Sequence, residues 1–303
     1  MMCHSNAITT IWNLVDEEMS DKKYEGSCLC GSVKWELTAE PYSAYNCYCS
    51  MCRKLHGSAF GSYFFIHDEH FKWTSDTNTI THYKSSSFLT RSACGTCGSV
   101  VPLPSTVNDG WAIPGGCHDL GRKADSNIFT ADVAPWHAIT DDLPCHDAYP
   151  GAADMPTVDN KTLAEKPEGV VRGSCLCGAI EFHITEPLTI AHNCHCSRCR
   201  HARAAAHASN GFTSFDGVHF LKGEDHLKSY KVPDAQFFTQ TFCDVCSSIM
   251  PRLDAGRKIA VIPLGSLDDD PGIKPVDHIF TNHKAGWHEI TDDLPQFEEG
   301  LPK

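Results

Sequence analysis

Apolar and polar positions alternate in short runs along this chain. Val33, Trp35 and Leu37 are interleaved with Ser32, Lys34, Glu36 and Thr38, and Ile180, Phe182 and Ile184 repeat the pattern in the second half. A period of two turns one face to a core and the other to water, as in a half-buried strand. Further strands are expected over 59–66, 88–91, 237–242 and 258–264. Helical signal is sparse. Residues 198–206, rich in Ala and Arg, form one candidate. Ile8, Ile11, Trp12 and Val15 are spaced for one face of a short helix in a leader over residues 1–23. The pattern therefore predicts a mainly β protein, chiefly antiparallel, with metal knuckles at its turns.

Whole phrases recur at long range. Gly26-Ser27-Cys28-Leu29-Cys30-Gly31 is answered by Gly173-Ser174-Cys175-Leu176-Cys177-Gly178, and Ile139-Thr140-Asp141-Asp142-Leu143-Pro144 by Ile290-Thr291-Asp292-Asp293-Leu294-Pro295. Cys28 and Cys175 lie 147 positions apart, as do Cys47 and Cys194; Cys94 and Cys243 lie 149 apart, and Trp136 and Trp287 lie 151 apart. A period this long exceeds the roughly 20–50 residues of solenoid repeats and marks a duplicated domain. One copy is expected over 24–145 and the other over 169–299. Between them, 146–168 hold Pro150-Gly151, Pro156 and Pro167 without apolar periodicity, the pattern of a linker.

Composition narrows the function. Of 303 residues 41% are hydrophobic, enough for a sizeable core. Asp and Glu number 38 against 25 Lys and Arg, a net charge of −13, so neither nucleic acid nor an anionic membrane is expected as a partner. The N-terminal segment has no cationic start leading into an apolar stretch, and no run of about 18 apolar residues occurs anywhere. A soluble, cytoplasmic protein is expected. Seventeen cysteines in a reducing compartment then call for metal rather than disulfides, and an odd count cannot pair completely.

Cysteine spacing supplies the chemistry. Each half holds a C-x-C, a C-x-C-x-x-C and a C-x-x-C, seven thiolates that divide into four and three. The closed sets are Cys28, Cys30, Cys94 and Cys97, and Cys175, Cys177, Cys243 and Cys246. Each joins an early turn to a late one, as a structural zinc would. The open sets are Cys47, Cys49 and Cys52, and Cys194, Cys196 and Cys199. Three ligands with an exchangeable fourth position characterise catalytic zinc. Four Zn2+ per chain, two per domain, are expected. Three thiolates favour a soft incoming ligand, hence a small-molecule thiol. Otherwise His56, His201, His207 or Cys117 closes the triplet, leaving a second inert site. Cys3, Cys117 and Cys145 stand outside both sets as free thiols. Trp136 and Trp287 are expected to bury against the sheet, and Asp-Asp-Leu-Pro after each to form a solvated turn.

The doubled Gly-Ser-Cys-Leu-Cys-Gly, the C-x-C-x-x-C followed by Arg and the C-x-x-C together resemble the glutathione-dependent formaldehyde-activating enzyme family, which includes the centromere protein V domain. His278-Ile279-Phe280 with Lys284-Ala285-Gly286-Trp287, and Ile128-Phe129 with Ala134-Pro135-Trp136, are similar to its terminal segment. The resemblance implies tandem β-tent zinc domains, a structural four-cysteine zinc, and a three-cysteine zinc near which glutathione binds. It also implies a carbon–sulfur lyase type reaction joining formaldehyde and glutathione as S-hydroxymethylglutathione. Departures occur at Tyr48, where the family has His, at Ser247, where it has Gly, and at Ala204-Ala205-Ala206-His207 in place of Gly57-Ser58-Ala59-Phe60; they bear on the pocket and on whether both copies work. The competing reading is a non-catalytic, zinc-stabilised tandem module that binds a protein partner.

Overall fold

The computed structural model describes residues 23–105, 109–150 and 165–302. The leader helix expected over 8–15, Cys3 and residues 151–164 of the linker lie outside the described residues. In the first copy the strands are β1 (Tyr24–Ser27), β2 (Lys34–Leu37), β3 (Ser43–Cys47), β4 (Gly61–Ile66), β5 (Phe71–Trp73), β6 (Ile80–Lys84), β7 (Thr90–Cys94), β8 (Leu103–Pro104), β9 (Trp111–Pro114), β10 (Ser126–Ile128) and β11 (Cys145–His146), with helix α1 (Ser50–His56) between β3 and β4. The second copy repeats them as β12 (Val171–Ser174), β13 (Glu181–Ile184), β14 (Ile190–Cys194), β15 (Ala208–Ser214), β16 (Val218–Lys222), β17 (Leu227–Lys231), β18 (Thr239–Cys243), β19 (Arg252–Asp254), β20 (Ile259–Pro263), β21 (His278–Ile279) and β22 (Gln296–Phe297), with α2 (Ser197–Arg203) after β14.

Each copy has one six-stranded sheet, ordered β11-β10-β3-β4-β9-β8 and β19-β20-β15-β14-β21-β22, beside a three-stranded sheet and a two-stranded ribbon. The protein is thus mainly β and duplicated. Strand pairing is chiefly antiparallel, as expected, but the large sheets are mixed, because β10 lies parallel to β3 and β11, and β21 parallel to β14 and β22. Parallel neighbours need a long crossover, and the chain from β3 to β10 supplies one. Such pairing leaves no local hairpin signal, so the alternation of residues could not reveal it.

Element boundaries moved for identifiable reasons. The helix expected over 198–206 stops at Arg203, because Ala204 turns left-handed at φ 50 and caps it. Its counterpart α1, unanticipated, ends the same way at Gly57, φ 56. Strands expected over 88–91 and 237–242 begin later and run to the metal-turn cysteines as β7 and β18.

The two copies share one buried core. Trp287 lies edge-on to Phe64 of the first copy, ring centroids 5.2 Å apart, and its indole N–H donates to the carbonyl of His118 at 3.3 Å. It therefore anchors the other copy as well as its own sheet. Backbones approach closely across the junction: a Cβ on Gly265 would lie 2.2 Å from the Arg53 carbonyl oxygen, and one on Gly116 would lie 2.2 Å from the Ala205 nitrogen. Only glycine fits at either point. Ser58 Oγ donates to the His207 carbonyl at 2.7 Å, so the Ala204–His207 departure lies at this junction.

Candidate metal centres

Both four-cysteine sets converge. In each, the four sulfurs lie within 4.8 Å of one another. Cys28 and Cys30 sulfurs are 3.5 Å apart and Cys30 and Cys94 3.7 Å; Cys175–Cys177 and Cys177–Cys243 are 3.4 and 3.8 Å. A tetrahedron with metal–sulfur bonds of about 2.3 Å has edges of about 3.8 Å. A disulfide would need about 2.05 Å, so the spacing fits an ion and not a bond. The turns are built to aim the sulfurs. Gly31 and Gly178 take φ 74 and 75, letting the chain reverse after the second cysteine, and the N–H groups of Val33 and Ile180 donate to Cys28 and Cys175 sulfur. These four-sulfur clusters can hold metal ions.

The triplets are formed by a strand end and a helix start. Cys47 closes β3, Cys49 caps α1 by accepting the Cys52 N–H on sulfur at 3.4 Å, and Cys52 sits in the first turn. Cys194, Cys196 and Cys199 repeat this on β14 and α2, with the Cys199 N–H 3.3 Å from Cys196 sulfur. Within each triplet the sulfurs again lie within 4.8 Å, and among the described residues no fourth His, Cys, Asp or Glu ligand atom joins either group. His56 donates from Nδ1 to the Arg203 carbonyl at 2.6 Å, which leaves Nε2 to accept from the Tyr63 hydroxyl at 2.8 Å. His207 bonds Ser209, and Cys117 points its thiol at the His201 carbonyl. Of the residues weighed as closing ligands, His56, His207 and Cys117 are thus engaged elsewhere, and His201 is not grouped with either triplet.

Three sulfurs this close cannot all ionise without a cation. Contacts with Cys47 and Cys49, helped by the Arg91 guanidinium, pull Cys52 well below the usual thiol range, while Cys49 and Cys52 push Cys47 up. The donor set is that of a soft divalent metal.

A cavity of about 740 Å³ opens over the first triplet. Tyr45, Tyr63, Phe65 and Tyr149 form an aromatic wall, and Phe129, held left-handed at φ 56, completes it. Ser174, Leu176 and Asp268 of the second copy line the opposite side. Three cations face this space. Arg91 reaches Cys52 sulfur with both terminal nitrogens, at 3.6 and 3.7 Å. Lys54 Nζ donates to the Ser174 carbonyl, Ser174 Oγ and Asp268 Oδ1 at 2.7, 2.9 and 2.6 Å. Arg53 has a buried Nε without a hydrogen-bond partner among the described residues.

Arg91, Lys54, Tyr63, Tyr149 and the second-copy wall escaped the reading of the sequence. Only Arg91 carried a usable signal, since β7 ends on Cys94 and an arginine three residues earlier shares that strand. The Asp-Asp-Leu-Pro segments are largely solvated turns, as expected, whose first Asp is also an anchor: Asn127 donates to Asp141 at 2.7 Å, and His278 Nε2 meets Asp292 at 3.0 Å. Tyr48 and His195, between the first two cysteines of each triplet, turn away into the junction, where Tyr48 stacks on His137 and His195 bonds His278 at 2.8 Å.

By class this is a tandem β protein whose halves each carry a four-sulfur and a three-sulfur cluster. The model of the family described as glutathione-dependent formaldehyde-activating enzyme matches residues 23–132 and 170–283. The chain belongs to this family. A curated Halomonas elongata protein named "Putative glutathione-dependent formaldehyde-activating enzyme" is 25% identical over 127 residues, covering 40% of this chain and 81% of the relative. A Rhodobacter sphaeroides protein of known crystal structure is 23% identical, with a TM-score of 0.27, over 34% of this chain and 97% of its own. No helix among the described residues is long and apolar enough to cross a membrane.

Proposed function

We propose that the protein joins a small-molecule thiol, glutathione or a close relative, to formaldehyde, giving the S-hydroxymethyl thiol in a carbon–sulfur lyase type reaction. The observation that carries this reading is the three-sulfur cluster with no fourth protein ligand among the described residues, in the lining of a 740 Å³ cavity. On this reading the metal is zinc, four ions per chain. The Cys28, Cys30, Cys94, Cys97 and Cys175, Cys177, Cys243, Cys246 sets are staples, and the two triplets are open sites.

Zinc held by Cys47, Cys49 and Cys52 would supply an exchangeable position at which a thiol gives up its proton. The rest falls to the chain. Arg53 and Lys54 line the cavity and favour an anionic peptide thiol, while the aromatic wall excludes water. The thiolate's electron pair forms the new bond to the aldehyde carbon, the carbonyl π pair moves to oxygen, and that oxygen takes up a proton equivalent to the one the thiol released. Arg53 lines this cavity, and its buried Nε, without a partner among the described residues, is the chain's candidate donor toward the negative oxygen as it develops. A module that only grips a protein partner leaves a sulfur-lined cavity without a role.

Formaldehyde and thiols also combine unaided, so the test is a rate. Exchange of 13C-formaldehyde into glutathione, followed by NMR, should accelerate in proportion to zinc-loaded protein, and Cys49→Ala should abolish the acceleration while far-ultraviolet circular dichroism is retained. An exchange rate equal to that of buffer in the zinc-loaded protein contradicts the proposal.

A further inference from the structure

The duplication sets each wall residue of the cavity beside its counterpart. Tyr45, Tyr63 and Tyr149 become His192, Asn210 and Gly300. His192 is turned to a hydrogen bond of its own, Nδ1 to Asp277 Oδ1 at 2.6 Å, and Asn210 accepts from Arg203 at 3.1 Å. Cys49 is only 3% exposed, whereas Cys196 is half-buried. The second triplet thus lies nearer the surface without the three tyrosines that enclose the first.

The charge differs as well. Arg91, whose guanidinium lies on Cys52 sulfur, is replaced by Gln240, and that amide is spent across the junction on the carbonyls of Cys97 at 3.1 Å and Ala202 at 2.6 Å. Arg203, on α2, and Arg252 act on Cys199 through space, but Arg203 spends a terminal nitrogen on Asn210 and, among the described residues, no guanidinium is hydrogen-bonded to a sulfur of this triplet as Arg91 is to Cys52. Three thiolates and a divalent ion carry one net negative charge, and a fourth thiolate adds another. A guanidinium bonded to one of the sulfurs offsets that addition and draws density from the sulfur, so an incoming thiolate is tolerated where Arg91 stands.

We propose that the two triplets divide the labour: thiol binds only at Cys47, Cys49 and Cys52, with Arg91 as the positioning residue that makes a fourth sulfur acceptable, while Cys194, Cys196 and Cys199 hold a supporting ion. The second copy takes part through its wall, Asp268 and Ser174 fixing Lys54 at the cavity. This rests on the thiol-binding reading above.

Calorimetric titration of glutathione into the zinc-loaded full chain tests it, with zinc content measured on every variant. One equivalent should bind per chain, and Cys196→Ala should leave that equivalent in place. Arg91→Gln, which removes no ligand, should keep four zinc ions yet weaken binding by about 10- to 100-fold, the scale of a charged hydrogen bond. Arg91→Lys should recover part of the loss. Two equivalents in the wild type, or unchanged affinity in zinc-replete Arg91→Gln, overturns the division. Absence of binding in the zinc-loaded wild type overturns the thiol reading itself and the division with it.

Discussion

Lys54, with His56, ties the helix of the first triplet to the second copy, and its removal has a calculable cost. The ammonium and the Asp268 carboxylate are 13% and 14% exposed and 2.6 Å apart, and Ser174 supplies two further acceptors. Burial lowers the Lys54 pKa, with Asp268 opposing. Deleting one member of a buried pair leaves the other uncompensated, at roughly 3–5 kcal/mol. Residual exposure of both groups favours the lower end, about 3 kcal/mol. For a chain of this size that corresponds to a fall in Tm of about 5 °C. Lys54→Met keeps most of the aliphatic stem and removes the charge. Asp268→Asn keeps the shape of its partner. The double variant should recover much of the loss, since neither charge is then stranded, giving a coupling of about 2 kcal/mol in a thermal double-mutant cycle. Lys54→Met should also weaken glutathione binding, because the cavity loses a cation from its wall. Additive losses in the cycle, with coupling below about 0.5 kcal/mol, would refute the claim that this pair joins the copies.

Gly116→Ala and Gly265→Ala should each cost at least about 2 kcal/mol, because the new Cβ meets backbone that cannot move aside, whereas Gly286→Ala, with nothing within 4 Å, should stay within about 0.5 kcal/mol; urea midpoints decide. His118 is buried, accepts the Trp35 indole N–H, and is pushed by burial to about 3. Between that value and the unfolded value of 6.5 only the unfolded chain binds the proton, so this contribution is complete above pH 6.5 and lost as pH falls, by about 2 kcal/mol at pH 5. His118→Gln should flatten the Tm-against-pH curve between pH 5 and 7; an unchanged slope contradicts the assignment. Chelation should unfold both copies rather than merely silence them, since the four-sulfur clusters close loops between residues 64 and 66 positions apart. Native circular dichroism in metal-free protein would show that the clusters are not staples.

Period-two alternation located β2 and β13, and cysteine spacing grouped the sulfurs that the fold brings together. Both are local signals repeated at a fixed offset. What escaped was long-range. The parallel neighbours β10 and β21 have no hairpin turn to announce them. The junction depends on Gly116 and Gly265, whose role appears only when two backbones meet. Arg91 and Lys54 are ordinary exposed-type residues by sequence, and their meaning comes from being buried, one on a sulfur and the other on a carboxylate of the other copy. Ser247 illustrates the converse. It departs from the family glycine, yet at φ 58 it adopts the same left-handed turn as Gly98, so the turn survives the substitution at a modest cost in strain.

Anomalous diffraction at the zinc edge, from crystals of the zinc-loaded protein with and without glutathione, most directly tests the central claim that the first triplet binds an ion and leaves one position for a substrate sulfur. The account predicts a peak at Cys47, Cys49 and Cys52 whose fourth ligand is solvent in the free protein and the glutathione sulfur in the complex. A missing peak there, or a protein side chain as fourth ligand in both crystals, would contradict it.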